Sequence, residues 1–177
     1  MKPIICFVGR SNTGKTTLVS ALISSLRALG LKVGTIKHAA NGFQFFKGKD
    51  SSLHKLSGAS VSIVASPNML GILMDTESDK NPMELMKYME GVDIVLAEGY
   101  KSSDLPKIEV FVPKKLGDLP LCINDPKLLA IVTKETLDTQ LPLFDPQDIK
   151  GLTDFILKVT ALNASAPQTA PETKAPR

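Results

Sequence analysis

Residues 9–16 read Gly-Arg-Ser-Asn-Thr-Gly-Lys-Thr and satisfy the pattern G-x-x-x-x-G-K-[ST] in full. With glycine near 7%, lysine at roughly 6% and serine plus threonine at about 12%, a random chain of about 170 residues matches it about 0.6% of the time. Context is more selective than the match itself. The stretch follows Pro3-Ile4-Ile5-Cys6-Phe7-Val8, a short continuous apolar run that reads as a strand buried on both faces. It precedes Leu18, Leu22, Leu26 and Leu29, whose spacing reads as a helix stopped by Gly30. A strand, a glycine-bearing loop and a helix in that order aim successive backbone N–H groups and a helix N-terminus at one anion.

That arrangement predicts a nucleotide phosphate site. Gly9, Arg10, Ser11, Asn12, Thr13 and Gly14 form the cradle, where glycines permit backbone angles and close approach that a Cβ would block. Lys15 is placed to meet the β- and γ-phosphates, and Thr16 to offer its hydroxyl to Mg²⁺. A further carboxylate for the metal shell is expected where another strand ends. Glu98, closing Asp93-Ile94-Val95-Leu96-Ala97-Glu98, stands at that carboxyl end, while Asp93 opens the run and reads as a strand-start polar residue. Asp50, in Gly48-Lys49-Asp50-Ser51, reads either as a helix cap or as a second metal-shell carboxylate.

The rest of the chain agrees with a single α/β layer architecture. Leu31 to Ile36 alternates as a second strand ending at Lys37-His38, completing a βαβ unit and with it a mostly parallel sheet flanked by helices. Residues 39–49 break the pattern and read as a mobile loop. A short helix through Leu56, a strand over 59–65 and a hairpin partner over 69–74 follow. A helix begins at Asn81-Pro82 with Met83, Leu85, Met86 and Met89 on its apolar side and ends at Gly91. Further strands are expected over 108–112 and 128–132, and a last helix over 148–162. Residues 163–177 turn to Ala, Pro, Thr and Ser, so the division is a nucleotide-binding domain over 1–162 and a disordered tail over 163–177.

Composition removes other classes. Twenty-one basic against eighteen acidic residues give a net charge of +3, too small and dispersed for a nucleic-acid groove. No apolar run is long enough to span a membrane and no signal peptide opens the chain, which points to the cytoplasm. Cys6 and Cys122 lie in apolar runs without metal or redox spacing and read as buried free thiols.

Several stretches together resemble one family, the molybdopterin-guanine dinucleotide biosynthesis adapter proteins known as MobB. The resemblance covers most of residues 3–162 and is carried by the loop from Gly9 through Thr17, by Thr35-Ile36-Lys37-His38, and by Gly48-Lys49-Asp50-Ser51. Glu98-Gly99-Tyr100-Lys101 with Pro106-Lys107-Ile108-Glu109, and Phe144-Asp145-Pro146-Gln147-Asp148, extend it. It implies a Rossmann-like P-loop NTPase fold, GTP and Mg²⁺ as ligands, a homodimer, and service to a MobA-type nucleotidyltransferase acting on molybdopterin, with slow GTP hydrolysis at most. Two departures stand out. His38 is followed by Ala39-Ala40-Asn41 rather than by further histidines, and the tail has no counterpart in the family pattern.

Lys37 and His38, Asp50 and Glu98 can meet phosphates from one edge of a sheet, and Lys101 and Lys107 can extend a positive rim toward a pterin phosphate or a partner. Base identity is less determined. Thr133-Lys134-Glu135-Thr136 holds the strand-end place where GTPases carry N/T-K-x-D, so Lys134 is set to pack on a purine, but Thr136 replaces the guanine-accepting aspartate. Asp138 and Asp145 are the substitutes within reach in sequence. The alternative reading is a small-molecule kinase or ATP-dependent ligase of the dethiobiotin synthetase type, which shares the loop and a strand-end Glu-Gly.

Overall fold

Why the site forms where it does follows from the strand order. In a computed structural model, residues 2–40, 42–43 and 50–163 are described. The chain runs β1 (Ile4–Val8), α1 (Lys15–Ala28), β2 (Val33–Lys37), α2 (Asp50–Leu56), β3 (Val61–Ser66), β4 (Met69–Met74), α3 (Pro82–Leu85), a 3-10 turn (Met86–Tyr88), β5 (Ile94–Glu98), β6 (Lys107–Val110), β7 (Leu128–Val132), β8 (Leu143–Phe144) and α4 (Ile149–Thr160). These elements divide into two units, Met1–His38 with Pro82–Arg177, and Ala39–Asn81. Residues 164–177, where the tail is expected, and residues 41 and 44–49 of the loop expected over 39–49 lie outside the described residues.

The first unit is built on a six-stranded sheet in the order β2-β5-β1-β6-β7-β8. Every neighbouring pair in it is parallel, so the sheet is more uniform than the mostly parallel one expected. Alternate residues of each apolar strand face opposite sides, and both sides are covered. On one, Ile5, Phe7, Ile94, Leu96, Ile108, Val110 and Val132 pack with Leu18, Leu22 and Leu26 of α1 and Leu152 and Ile156 of α4. On the other, Ile4, Cys6, Val8, Val95, Ala97 and Ile131 meet Phe111 and Cys122, with Leu85, Met86 and Met89 packed beside them. Both cysteines are buried and free, as their sequence setting indicated.

The helix expected from residue 81 to residue 91 is much shorter. A four-residue turn and a 3-10 turn replace it, because only Leu85, Met86 and Met89 find the sheet, while Met83 stays exposed. β8 has two residues and carries no periodicity of its own; it exists by pairing Leu143 and Phe144 with Ile131 and Val132. α4 begins at Ile149 with Asp148 as its N-cap, whose carboxylate accepts from the Gly151 N–H at 2.9 Å.

The second unit holds α2 and the antiparallel hairpin of β3 and β4, in register from Val61↔Met74 to Ser66↔Met69. Most large apolar residues of this hairpin are exposed. Ile63 is 60% exposed, Leu70 62% and Met69 76%.

Candidate functional site

The carboxyl ends of β1, β5 and β2 lie side by side and in register. Phe7 pairs with Glu98, and Lys37 pairs with Glu98 across the other edge. The chain leaves β1 through Gly9, at φ 136°, where any Cβ would run into the Val110 carbonyl of β6. Only glycine fits such a close crossing. Asn12 at φ 63° and Gly14 at φ 89° complete the turn into α1. No side chain caps α1, and no acidic residue occupies its first turn. Its leading N–H groups and the positive end of its dipole are thus left for a ligand anion.

Lys15 folds back over this loop, its Nζ donating to the Arg10 carbonyl at 2.5 Å, and Thr13 Oγ1 donates to the same oxygen at 3.0 Å. Burial pushes the Lys15 ammonium below its ordinary value; Glu98 opposes that and Lys37 adds to it. A partly desolvated cation beside uncapped amides is what an anion would relieve. Ser11, Asn12 and Thr17 are exposed around the same loop.

Next to it, the Thr16 hydroxyl lies 2.9 Å and 3.0 Å from the two oxygens of Glu98. Lys37 Nζ donates to Thr16 Oγ1 at 3.2 Å and to the Glu98 carboxylate at 3.2 Å. A hydroxyl and a carboxylate are hard oxygen donors, and Mg²⁺ takes one or two such groups together with phosphate oxygens and water rather than a protein-only cage. The pair therefore fits the ion. Among the described residues no group of three or more His, Cys, Asp or Glu forms such a cage.

Other sequence candidates fall in varied places. Asp93 accepts the Lys32 N–H at 2.7 Å, the strand-start role expected of it. Asp50 opens α2 in the second unit, and its side chain lies outside the described residues. His38 stacks on Tyr100, ring centroids 4.7 Å apart. Gly99 between them sits at φ 99°, and a Cβ there would press on the His38 side chain. Lys134 is exposed directly after β7. Thr133 N–H donates to the Phe144 carbonyl at 2.9 Å, which brings Asp145, the residue after β8, to the strand end that carries Lys134. Asp138 is exposed in the loop between them.

Lys107 is not a rim lysine. It is fully buried, with its ammonium on the Ser103 and Leu105 carbonyls and 2.9 Å from Asp125. Two residues along the same strand face, Glu109 is equally enclosed and accepts the Leu121 and Cys122 N–H groups at 2.6 Å and 2.8 Å. Lys107 thus ties the segment before β6 to Asp125 after it, and Glu109 fixes the loop beyond β6. One of those loops reaches back to the phosphate cradle, where Arg10 pairs with Asp118 at 3.3 Å. The Lys114 N–H, and then Arg10 and Lys115, hold the Asp118 carboxyl below the usual carboxylate range. Sequence reading missed this pair, since the residues are 108 positions apart and Asp118 sits in no recognisable motif.

Comparison with known proteins accords with the geometry. Residues 4–134 match the family model of MobB, molybdopterin guanine dinucleotide synthesis protein B. The chain is 32% identical over 163 residues to the molybdopterin-guanine dinucleotide biosynthesis adapter protein of Escherichia coli K12, covering 89% of this chain and 93% of that one. It is 33% identical to the corresponding adapter protein of Haemophilus influenzae, with 87% of each chain covered. Among solved structures, a molybdopterin-guanine biosynthesis protein B superposes with a TM-score of 0.70 at 26% identity, over 88% of this chain and 99% of that one. Bacillus subtilis MobB does so with a TM-score of 0.68 at 27% identity, over 88% and 96%.

Proposed function

The chain belongs to the MobB family, and from that premise and the site at the ends of β1, β5 and β2 we propose that it is a GTP–Mg²⁺-binding adapter of molybdopterin-guanine dinucleotide biosynthesis. One observation carries the nucleotide part: an uncapped α1 with Lys15 drawn over the amides, beside a Thr16–Glu98 pair of metal-binding chemistry.

Each residue has a definable task. The amides of residues 9–16 and Lys15 hold phosphate oxygens, and the Thr16 hydroxyl and Glu98 carboxylate hold the ion. An Mg²⁺ ion held there would neutralise charge on the terminal phosphates. Glu98 orients the Thr16 hydroxyl by taking its proton in a hydrogen bond, which leaves the oxygen lone pairs for a cation. Lys134 packs on the purine and Asp145 accepts from the guanine edge, the substitute for the aspartate absent at Thr136. Asp145 is the better candidate than Asp138 because β8 carries it to the end of β7.

The partner is a MobA-type nucleotidyltransferase, and the assembly is a homodimer. The hairpin of the second unit supports the latter. A two-stranded ribbon is marginal alone, and this one exposes seven large apolar residues between Val61 and Met74. The adapter role also explains why one nucleotide-binding sheet suffices: the second substrate is held by the partner.

The test is co-purification of this chain with a MobA-type enzyme in the presence of GTP, ATP or no nucleotide. A complex with GTP that Lys15→Ala weakens supports the reading. No complex under any of the three conditions contradicts it.

A further inference from the structure

We infer that Lys37 is a built-in occupant of the divalent-cation position and must be displaced before Mg²⁺ can bind, an inference that rests on the metal-site reading above. Its ammonium touches both groups assigned to the ion, Thr16 Oγ1 at 3.2 Å and the Glu98 carboxylate at 3.2 Å.

The hydrogen-bond inventory makes the competition direct. A hydroxyl has one proton and two lone pairs, an ionised carboxylate only accepts, and an ammonium only donates. The Thr16 proton therefore goes to Glu98, at 2.9 Å and 3.0 Å, and Lys37 donates to a Thr16 lone pair. That oxygen is the one Thr16 has to give to a metal. An Mg²⁺ ion demands oxygen ligands at about 2.0–2.1 Å in near-octahedral order, and an ammonium on the same hydroxyl and the same carboxylate repels it.

Register explains why the lysine stays there. Lys37 and Glu98 are paired residues at the ends of adjacent parallel strands, so the backbone sets their proximity before any ligand arrives. The next ladder bond, His38 N–H to the Glu98 carbonyl at 2.9 Å, pins the strand end. The Lys37 side chain is nonetheless 60% exposed while Glu98 is only 15% exposed. The carboxylate is fixed and the lysine has free space to withdraw into. Without a divalent cation Lys37 compensates the Glu98 charge; with one it is released toward solvent or the phosphates.

Nucleotide-free protein tests this with Mn²⁺ as the paramagnetic probe, counting free Mn²⁺ by electron spin resonance. Measurements in about 0.5 M NaCl screen the general field of a removed charge, since the Debye length is then only about 4 Å. Lys37→Met should bind Mn²⁺ more tightly than the wild type, by up to about fivefold, the scale of one exposed ion pair. Lys37→Arg, which keeps a donor in place, should stay near the wild type. In the background of Glu98→Gln, Lys37→Met should bring no gain. Equal or weaker Mn²⁺ binding by Lys37→Met, in a protein whose circular dichroism melt is unchanged, overturns the inference, as does a gain that persists without Glu98. Because no nucleotide is present, failure here is separate from failure of the GTP reading, which Lys15→Ala tests.

Discussion

Thr16 and Glu98, 82 residues apart, meet with the hydroxyl oxygen at 2.9 Å and 3.0 Å from the two carboxylate oxygens. The contact joins the first turn of α1 to the end of β5, and it follows from β5 being the immediate neighbour of β1. In an open parallel sheet, ligands bind at such strand ends.

Glu98→Gln keeps the shape of this contact and removes its charge. The Mg²⁺ concentration for half-maximal nucleotide binding should rise about tenfold or more, the usual consequence of losing a group that holds or orients a metal ligand. Calorimetric titration across a magnesium series reads it, and an unchanged magnesium dependence would take Glu98 out of the site.

The lowered ammonium of Lys15 gives a pH dependence of known sign. Burial disfavours its charged form in the free protein, and a bound polyphosphate favours it. Binding therefore takes up a proton once Lys15 begins to lose its own. GTP affinity should be level near neutral pH and fall as pH rises through the depressed Lys15 value, below the ordinary 10.5. In Lys15→Ala the affinity should be weaker by about 2 kcal/mol, the worth of a charge-assisted contact, and the alkaline fall should vanish. An equal fall in the variant would assign it to another group.

How the site was legible depends on distance along the chain. The cradle over 9–16 announces itself because its chemistry is local, and Glu98 because a strand end followed by glycine is a local pattern too. Lys107 misled because a charged residue usually reads as surface, and nothing in the sequence marked Glu109 as buried. They alternate with Ile108 and Val110 on a strand flanked by β1 and β7, so both of their faces are covered. Only the strand order, which is not local information, reveals that. The Arg10–Asp118 pair and the two-residue β8 are of the same kind, existing through partners far away in sequence. The hairpin was legible as an element, but the exposure of its apolar residues was not, because burial depends on what packs against a strand and not on its own pattern.

Lys107→Ala separates a structural lysine from a rim lysine. It removes a fully buried ammonium and leaves two carbonyls and Asp125 without their donor. Denaturant unfolding should show a loss of about 1–3 kcal/mol, the cost of leaving buried acceptors without a partner, since Asp125 itself keeps the Lys127 N–H and some contact with water. A stable variant that loses only partner binding would restore the rim role.

Exposed apolar residues on β3 and β4 should make dimerisation sensitive to charge. Ile63→Asp with Leu70→Asp places carboxylates on two residues that are 60% and 62% exposed in the single chain. Sedimentation should find a dimer for the wild type and a monomer for the double variant, with nucleotide binding retained. A dimer in both would move the interface elsewhere.

The Lys134–Asp145 assignment predicts that Asp145→Ala lowers GTP affinity while leaving ATP affinity unchanged. An equal effect on both nucleotides would make Asp145 structural, consistent with its carboxylate accepting the Gln147 N–H at 2.7 Å.

Calorimetric titration of GTP and ATP into the wild type and Lys15→Ala, with and without Mg²⁺, tests the central claim most directly. The account predicts magnesium-dependent binding of GTP, weaker binding of ATP, and binding of both weakened by about 2 kcal/mol in the variant. Binding of ATP at least as tight as GTP, or GTP binding that survives Lys15→Ala unchanged, would contradict it.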